Sequence, residues 1–269
     1  MTKNLGDEIY SIISDTRKKI LSVGIQVQLS YTSFQFMKNE LEKTGQERFD
    51  LQYPIGQELN GEPTLTKSNF SKEEILFQYD MLSNTQLAIG GIYSFVAFME
   101  TMFSDLITAI VLKYPEKLPG NKKIDLSDVL KCENIKSLHI VAVQKLMHEL
   151  TYKSPKDFAE SIKNIIDISL LKVIEYQKYI EIKATRDILI HNQGIANEIY
   201  CSKAESLSRA KAGEILHIDN YYFLSCYETC LQLTEYLRDH FHKKWHSLVL
   251  ENEIMERKKK LSDPTYPPS

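Results

Sequence analysis

The sequence predicts an all-α fold, a helical bundle with an N-terminal helical extension. Apolar residues recur at three- and four-residue spacing along most of the chain, which is the stripe of a helix packed on one face. Residues that start and stop helices punctuate those runs. One run, YSFVAFMETMFSDLITAIVL, is apolar almost throughout, as the central helix of a bundle would be.

The elements follow in order. Over residues 5–48, Ile9, Ile12, Ile13, Ile20, Val23, Val27, Leu29 and Phe34 are broadly periodic, with an interruption expected near Gly24, and KNELEKTGQ ends the run. Residues 49–70 carry Pro54, Gly56, Gly61 and Pro63 and read as an irregular connection: a lid, a partner-binding loop or a plain crossover. Ser71 and Glu74 form a capping box that opens a helix running to Pro115, with a kink expected at Gly90 and Gly91. Glu100 and Asp105 sit inside its most apolar part, where a charge needs an exposed flank or a partner. After Pro115, Pro119 and Gly120 come a short DLSDVL turn and a helix over SLHIVAVQKLMHELTY, and Ser154 with Pro155 caps a short helix beyond it. A long helix then carries Leu170, Val173, Ile174, Gln177, Ile180, Ala184 and Ile188 as its stripe, and His191 continues it. Asn192 and Gly194 follow, and a glycine there ends a helix in the left-handed conformation. Residues 198–218 lack helical periodicity, and GEILHID is expected to lie extended. Asp219 caps a last helix whose Tyr222, Cys226, Cys230, Leu233 and Leu237 should pack on the one ending at His191. The expected organisation is 1–70 as helical extension and irregular connection, 71–250 as the bundle, and 251–269 as a basic, proline-containing tail without fixed structure.

Composition bounds the function. At 269 residues, 43 % hydrophobic and 26 % charged, the chain has the make-up of a globular domain. A net charge of −3 argues against a broadly basic nucleic-acid binder, while leaving room for a local basic groove. Neither a secretory signal nor a run of about 18 apolar residues suited to a membrane is recognised in the sequence, so the expected location is cytoplasmic. Four cysteines without framework spacing are expected to be reduced, with Cys226 and Cys230 in the core rather than in a metal site. His139 and His148 share no face and read as structural. His242 and His246 are one turn apart, but the sequence offers no third ligand beside them, and a solvated helix end is the expectation. No cofactor, repeat, phosphate-binding glycine loop or nucleophile elbow is indicated.

The chemistry concentrates in residues 181–197, EIKATRDILIHNQGIAN. Arg186 offers a planar fork of donors that fits phosphate oxygens. His191, in the last turn of its helix, can shuttle protons near neutral pH, helped by the helix-end carbonyls and by Asp187 one turn back. Five residues on a helix amount to roughly 140° of rotation and about 7.5 Å of rise, so the two side chains do not stack, but they can border one groove shared with a second copy. Arginines holding a phosphodiester beside titratable histidines suffice for metal-independent RNA cleavage, one histidine taking the 2′-hydroxyl proton and another protonating the leaving 5′-oxygen.

RDILIHN, late on a long helix and followed by GIAN, resembles the HEPN superfamily (higher eukaryotes and prokaryotes nucleotide-binding) over about residues 85–250. The resemblance implies an all-helical, commonly dimeric protein, and for many members a metal-independent ribonuclease of toxin–antitoxin, phage-defence or RNA-processing systems. By motif position Arg186 and His191 match its catalytic arginine and histidine, Asp187 its variable polar position and Asn192 its frequent trailing asparagine. Glu100 is the candidate for orienting Arg186. One subfamily has a modified tyrosine two residues after the histidine; Gln193 stands there in this chain. The implied partners are an RNA substrate, a second copy of the chain, and an antitoxin or other regulatory protein, without a membrane. Two alternatives stay open: a catalytically inactive HEPN-like module that binds a partner protein or nucleotide, and a bundle in which His191 and Arg186 are simply bonded in the core.

Overall fold

The computed structural model describes residues 4–120 and 124–262. Its secondary structure is mainly helical, as an all-α chain requires. α1 (Leu5–Lys43) is capped by Asn4 and runs through Gly24 without a break. Its first half buries Ile9, Ile13 and Ile20 in the same core as the later helices, with Val27 just beyond, so this half belongs to the bundle itself. Its second half exposes Ile25, Leu29 and Phe36.

The stretch expected to be irregular is instead a β-hairpin. β1 (Arg48–Gln57) pairs antiparallel with β2 (Pro63–Ser71), Phe49 opposite Phe70 and Tyr53 opposite Thr66. The period-two signal was present in Phe49, Leu51, Tyr53 and Ile55, and Asn60-Gly61 is a strong hairpin turn. Pro54 conceals it. The proline sits at a register shift between Pro54 and Gly56, the kind of bulge that tolerates a proline within a strand.

α2 (Lys72–Met81) begins with the expected box: Glu74 N–H donates to Ser71 Oγ at 3.2 Å and Ser71 N–H to Glu74 Oε2 at 2.7 Å. Helical hydrogen bonding continues unbroken through Gly90 and Gly91. A π-turn over Leu82–Gln86 takes up the irregularity, with Ser83 Oγ donating to Tyr79 O at 2.7 Å and accepting from Gln35 Nε2 at 3.2 Å. α3 (Leu87–Lys113) follows as the central helix. Ile92, Phe95, Val96, Met99, Met102 and Ile110 on it have no exposed surface, and each such burial contributes about 1.5–3 kcal/mol. Gly91 admits the Phe223 ring: a Cβ there would stand 2.3 Å from Phe223 Cε2. The expected absence of a membrane-length run needs correction, because Lys72–Lys113 contains an 18-residue window of mean hydropathy 1.8, apolar and long enough to cross a membrane. That window is 56 % buried within the protein.

α4 (Leu126–Lys131), α5 (Ile135–Thr151) and α6 (Pro155–Ile166) complete one side, the last capped by Ser154 with Pro155 in its first turn. A 3₁₀ turn at Leu170–Lys172 resets the register before α7 (Ile174–His191). The buried face of α7 is accordingly Tyr176, Tyr179, Ile180, Ala184, Thr185 and Ile188, while Ile174 is exposed and His191 does not continue the stripe. α8 (Glu198–Ala204) is a helix that the sequence reading missed, because two turns are too few to display a period. α9 (Asn220–Lys244) packs Cys226, Cys230, Leu233 and Leu237 inward and lies on α1, α3 and α7. Burial pushes the Cys226 thiol up to about 12 and the Cys230 thiol higher still, so both stay protonated core residues. α10 (Leu248–Ser262) replaces the first part of the expected unstructured tail; residues 263–269 lie outside the described residues.

Candidate functional site

α7 ends where Gln193 and Gly194 turn left-handed, at φ 53° and 78°, and the N–H groups of Asn192 and Gly194 both bond Ile188 O, at 2.9 and 3.2 Å. The chain then clamps itself against residues 213–216: Ala196 N–H donates to Glu214 O and Leu216 N–H to Gly194 O, each at 2.8 Å. Of GEILHID, expected to lie extended, Gly213 is in a turn with φ 91° and Ile215 forms an isolated antiparallel bridge with Ile195. Asn192 Nδ2 donates to Ile195 O, so this side chain caps the turn.

His191 is exposed on an open cleft of about 330 Å³ between the end of α7 and α8. Asp187, Asn192, Asn197, Tyr200 and Lys203 share its walls. No hydrogen bond or ion pair of the His191 ring occurs among the described residues. Asp187 is engaged elsewhere: Oδ2 lies 3.3 Å from Lys203 Nζ and Oδ1 lies 3.5 Å from Arg186 Nε.

Arg186 points to α3. Its Nη2 straddles the carboxylate of Glu100, 3.0 Å from each oxygen, the pairing anticipated from the sequence. Lys183, one turn earlier, contacts the same carboxylate. Burial first, and then the Arg186 guanidinium, push the Lys183 ammonium down to about 8, against the opposing pull of Asp187. Arg186 Nε is buried without a hydrogen-bond partner among the described residues, its approach to Asp187 being long and poorly aimed. The five charges Glu100, Lys183, Arg186, Asp187 and Lys203 therefore form one line across α3, α7 and α8, and Arg186 does not border the His191 cleft within a single chain.

What holds α8 against α7 was not foreseen. Glu181, the first residue of the motif stretch, is only 5 % exposed and accepts from Thr185 Oγ1 (2.7 Å), Tyr200 OH (2.8 Å), Arg209 Nε (3.1 Å) and Tyr222 OH (2.8 Å). Arg209 also donates to His217 O at 2.8 Å and lies over the Tyr222 ring at 3.3 Å from its centre. Burial, reinforced by Cys226 and Glu181, pushes the Tyr222 hydroxyl well above its ordinary range and keeps it a donor. A glutamate amid IEYQKYIEIKATRD looks like one more surface charge, and only its three- and seven-residue offsets from Ala184 and Ile188 on the apolar stripe hinted otherwise.

The third ligand missing beside His242 and His246 is supplied by Glu251 from α10; one ligand atom from each lies within 4.8 Å of the others. His246 Nε2 is 3.0 Å from Glu251 Oε1, yet His242 Nδ1 already accepts from Ser247 N–H at 3.2 Å and its ring stacks on His246. The cluster reads as a tied helix junction, and none of the three lines the His191 cleft.

The chain matches no family model, no curated protein and no solved structure.

Proposed function

We propose that this chain is a metal-independent endoribonuclease acting as a homodimer, with His191 moving protons and Arg186 holding the phosphodiester. The 2′-hydroxyl of the RNA is the nucleophile, so the products carry a 2′,3′-cyclic phosphate and a 5′-hydroxyl. The observation that supports this reading is the position of His191: exposed, at a helix end, in an open cleft beside Asp187 and Lys203, with its ring unengaged among the described residues. A core histidine would be covered and bonded. The RDILIHN resemblance supplies the family context, with an antitoxin or regulatory protein as the further partner of a toxin or defence nuclease.

The placement of Arg186 favours a second reading. A guanidinium already held by Glu100 and close to Asp187 has little charge to offer a phosphate, and it faces away from the cleft. On that reading the chain is a catalytically inactive HEPN-like module that binds a partner protein or nucleotide.

Incubation of end-labelled total RNA with the pure protein in EDTA separates the two. Cleavage by wild type with 5′-hydroxyl ends, absent from His191→Ala protein of equal melting temperature, supports the nuclease; a loss of about 10²–10⁴ in rate is the size of a general acid–base contribution. Equal cleavage by both proteins, 5′-phosphate ends or a need for divalent metal refutes it. Light scattering at micromolar concentration tests the homodimer that brings a second Arg186 to the cleft, and a monomer counts against the arrangement.

A further inference from the structure

A cavity of about 200 Å³ opens between α3, α5, α6 and α7, and the function above makes no use of it. Its walls are aromatic. Phe103 meets Phe158 edge-on at 5.8 Å and Tyr176 at 6.0 Å, leaving ring faces and edges on which a further flat ring can pack. The volume is below the range of roughly 300–1,000 Å³ typical of drug-sized ligands, which limits what it encloses to one ring system and a small substituent, any further part of the ligand lying at its open mouth.

Polar groups then set its charge. Lys153, Lys183 and Glu100 line the cavity, so two cations face one carboxylate there, and that carboxylate is shared with Arg186, which also approaches Asp187 behind it. Tyr179, also in the lining, is 3 % exposed, and its hydroxyl is buried with no hydrogen-bond partner among the described residues.

We infer that this cavity binds a small aromatic ring bearing an anionic group, a carboxylate or a phosphate. The ring lies among Phe103, Phe158 and Tyr176, and the anion takes the surplus positive charge of Lys183 and Lys153. The lowered Lys183 value agrees, since an anion brought beside that ammonium restores what burial takes away. Such a group can come from a free aromatic acid or from the base and phosphate of a nucleotide.

The test is titration of the full chain with indole-3-carboxylate, phenyl phosphate, a set of nucleoside 5′-monophosphates and uncharged indole, followed by calorimetry and by the Met147 methyl resonance, which reports ring currents inside the cavity. At least one anionic probe should bind and shift that methyl. Lys183→Met should weaken the anionic probe at least tenfold and leave indole unchanged, and Ser104→Leu should fill the space and abolish both. Preference for the acid or for the nucleotides identifies the source. An unmoved Met147 methyl at millimolar probe, or equal affinity in wild type and Lys183→Met, overturns the inference, the first without needing any variant to fold. The titrations run equally on His191→Ala protein, so their failure and a failure of RNA cleavage are separate results.

Discussion

Replacing Arg209 by methionine isolates the buried network that carries the wall of the His191 cleft. The carboxylate of Glu181 is 5 % exposed and Arg209 is its only ion-pair partner among the described residues. Removing one member of a buried pair leaves an uncompensated charge and typically costs 3–5 kcal/mol. Three hydroxyls, from Thr185, Tyr200 and Tyr222, still solvate the carboxylate, which places the cost near the lower end. The loss of the contact over Tyr222 at 3.3 Å and of the bond to His217 O at 2.8 Å adds to it, so about 4 kcal/mol is expected. For a chain of this size that is a fall of roughly 10 °C in Tm. Removing both charges in Glu181→Leu/Arg209→Met should cost less than the two single changes summed, because no orphan charge remains. Guanidinium unfolding followed by circular dichroism gives all four free energies. Hydrogen exchange should localise the loosening to residues 197–217, where Tyr200 and Arg209 are anchored. An Arg209→Met cost below about 1 kcal/mol, or strict additivity in the cycle, would refute the claim that this ion pair ties the segment following α8 to α7.

Three further outcomes follow from the same geometry. Arg186→Lys should lower RNA cleavage at least tenfold without lowering Tm by more than a few degrees, since lysine keeps a charge for Glu100 but lacks the fork; unchanged cleavage rates would assign Arg186 a purely structural part. Gly91→Ala should destabilise the fold by about 1–3 kcal/mol because its methyl would stand 2.3 Å from the Phe223 ring, and a silent substitution in a denaturant titration would show that the α3–α9 approach is looser. Lys183 gives a pH signature: its folded value is lowered to about 8 from 10.5, so between those pH values the unfolded chain binds more protons and this residue's contribution to stability rises with pH. Compared with Lys183→Met, the denaturation midpoint of wild type should climb through that window, and parallel curves would contradict the lowered value.

Much of the helical framework was legible because helix boundaries are short-range chemistry. Ser71 with Glu74, Ser154 with Pro155, Asp219 and Gly194 act on backbone groups within one turn, and each does in the structure what its type and position imply. The burial of most of α3 was equally plain, since its broad apolar face has to be covered, while Ala97, Glu100, Thr101 and Asp105 stay exposed. The hairpin was concealed for a physical reason. Its alternation of Phe49, Leu51, Tyr53 and Ile55 is interrupted by Pro54, and whether a proline breaks a strand or sits in a bulge is decided by the partner strand.

The site divides along the same line. The sequence by itself determined that Arg186 and His191 lie five residues apart at the end of one helix, that Gly194 stops it, and that a carboxylate on the central helix was available to the arginine. Only the tertiary structure decided that Glu100 and Asp187 both approach that guanidinium, that His191 opens onto a cleft walled by α8, and that Glu181 is a buried junction closed by Arg209, 28 residues further on. Periodicity identifies the face of a helix but not what is packed against it. The worth of a charge depends on that neighbour, because the same carboxylate is nearly neutral to stability in water and costly to leave alone in the interior.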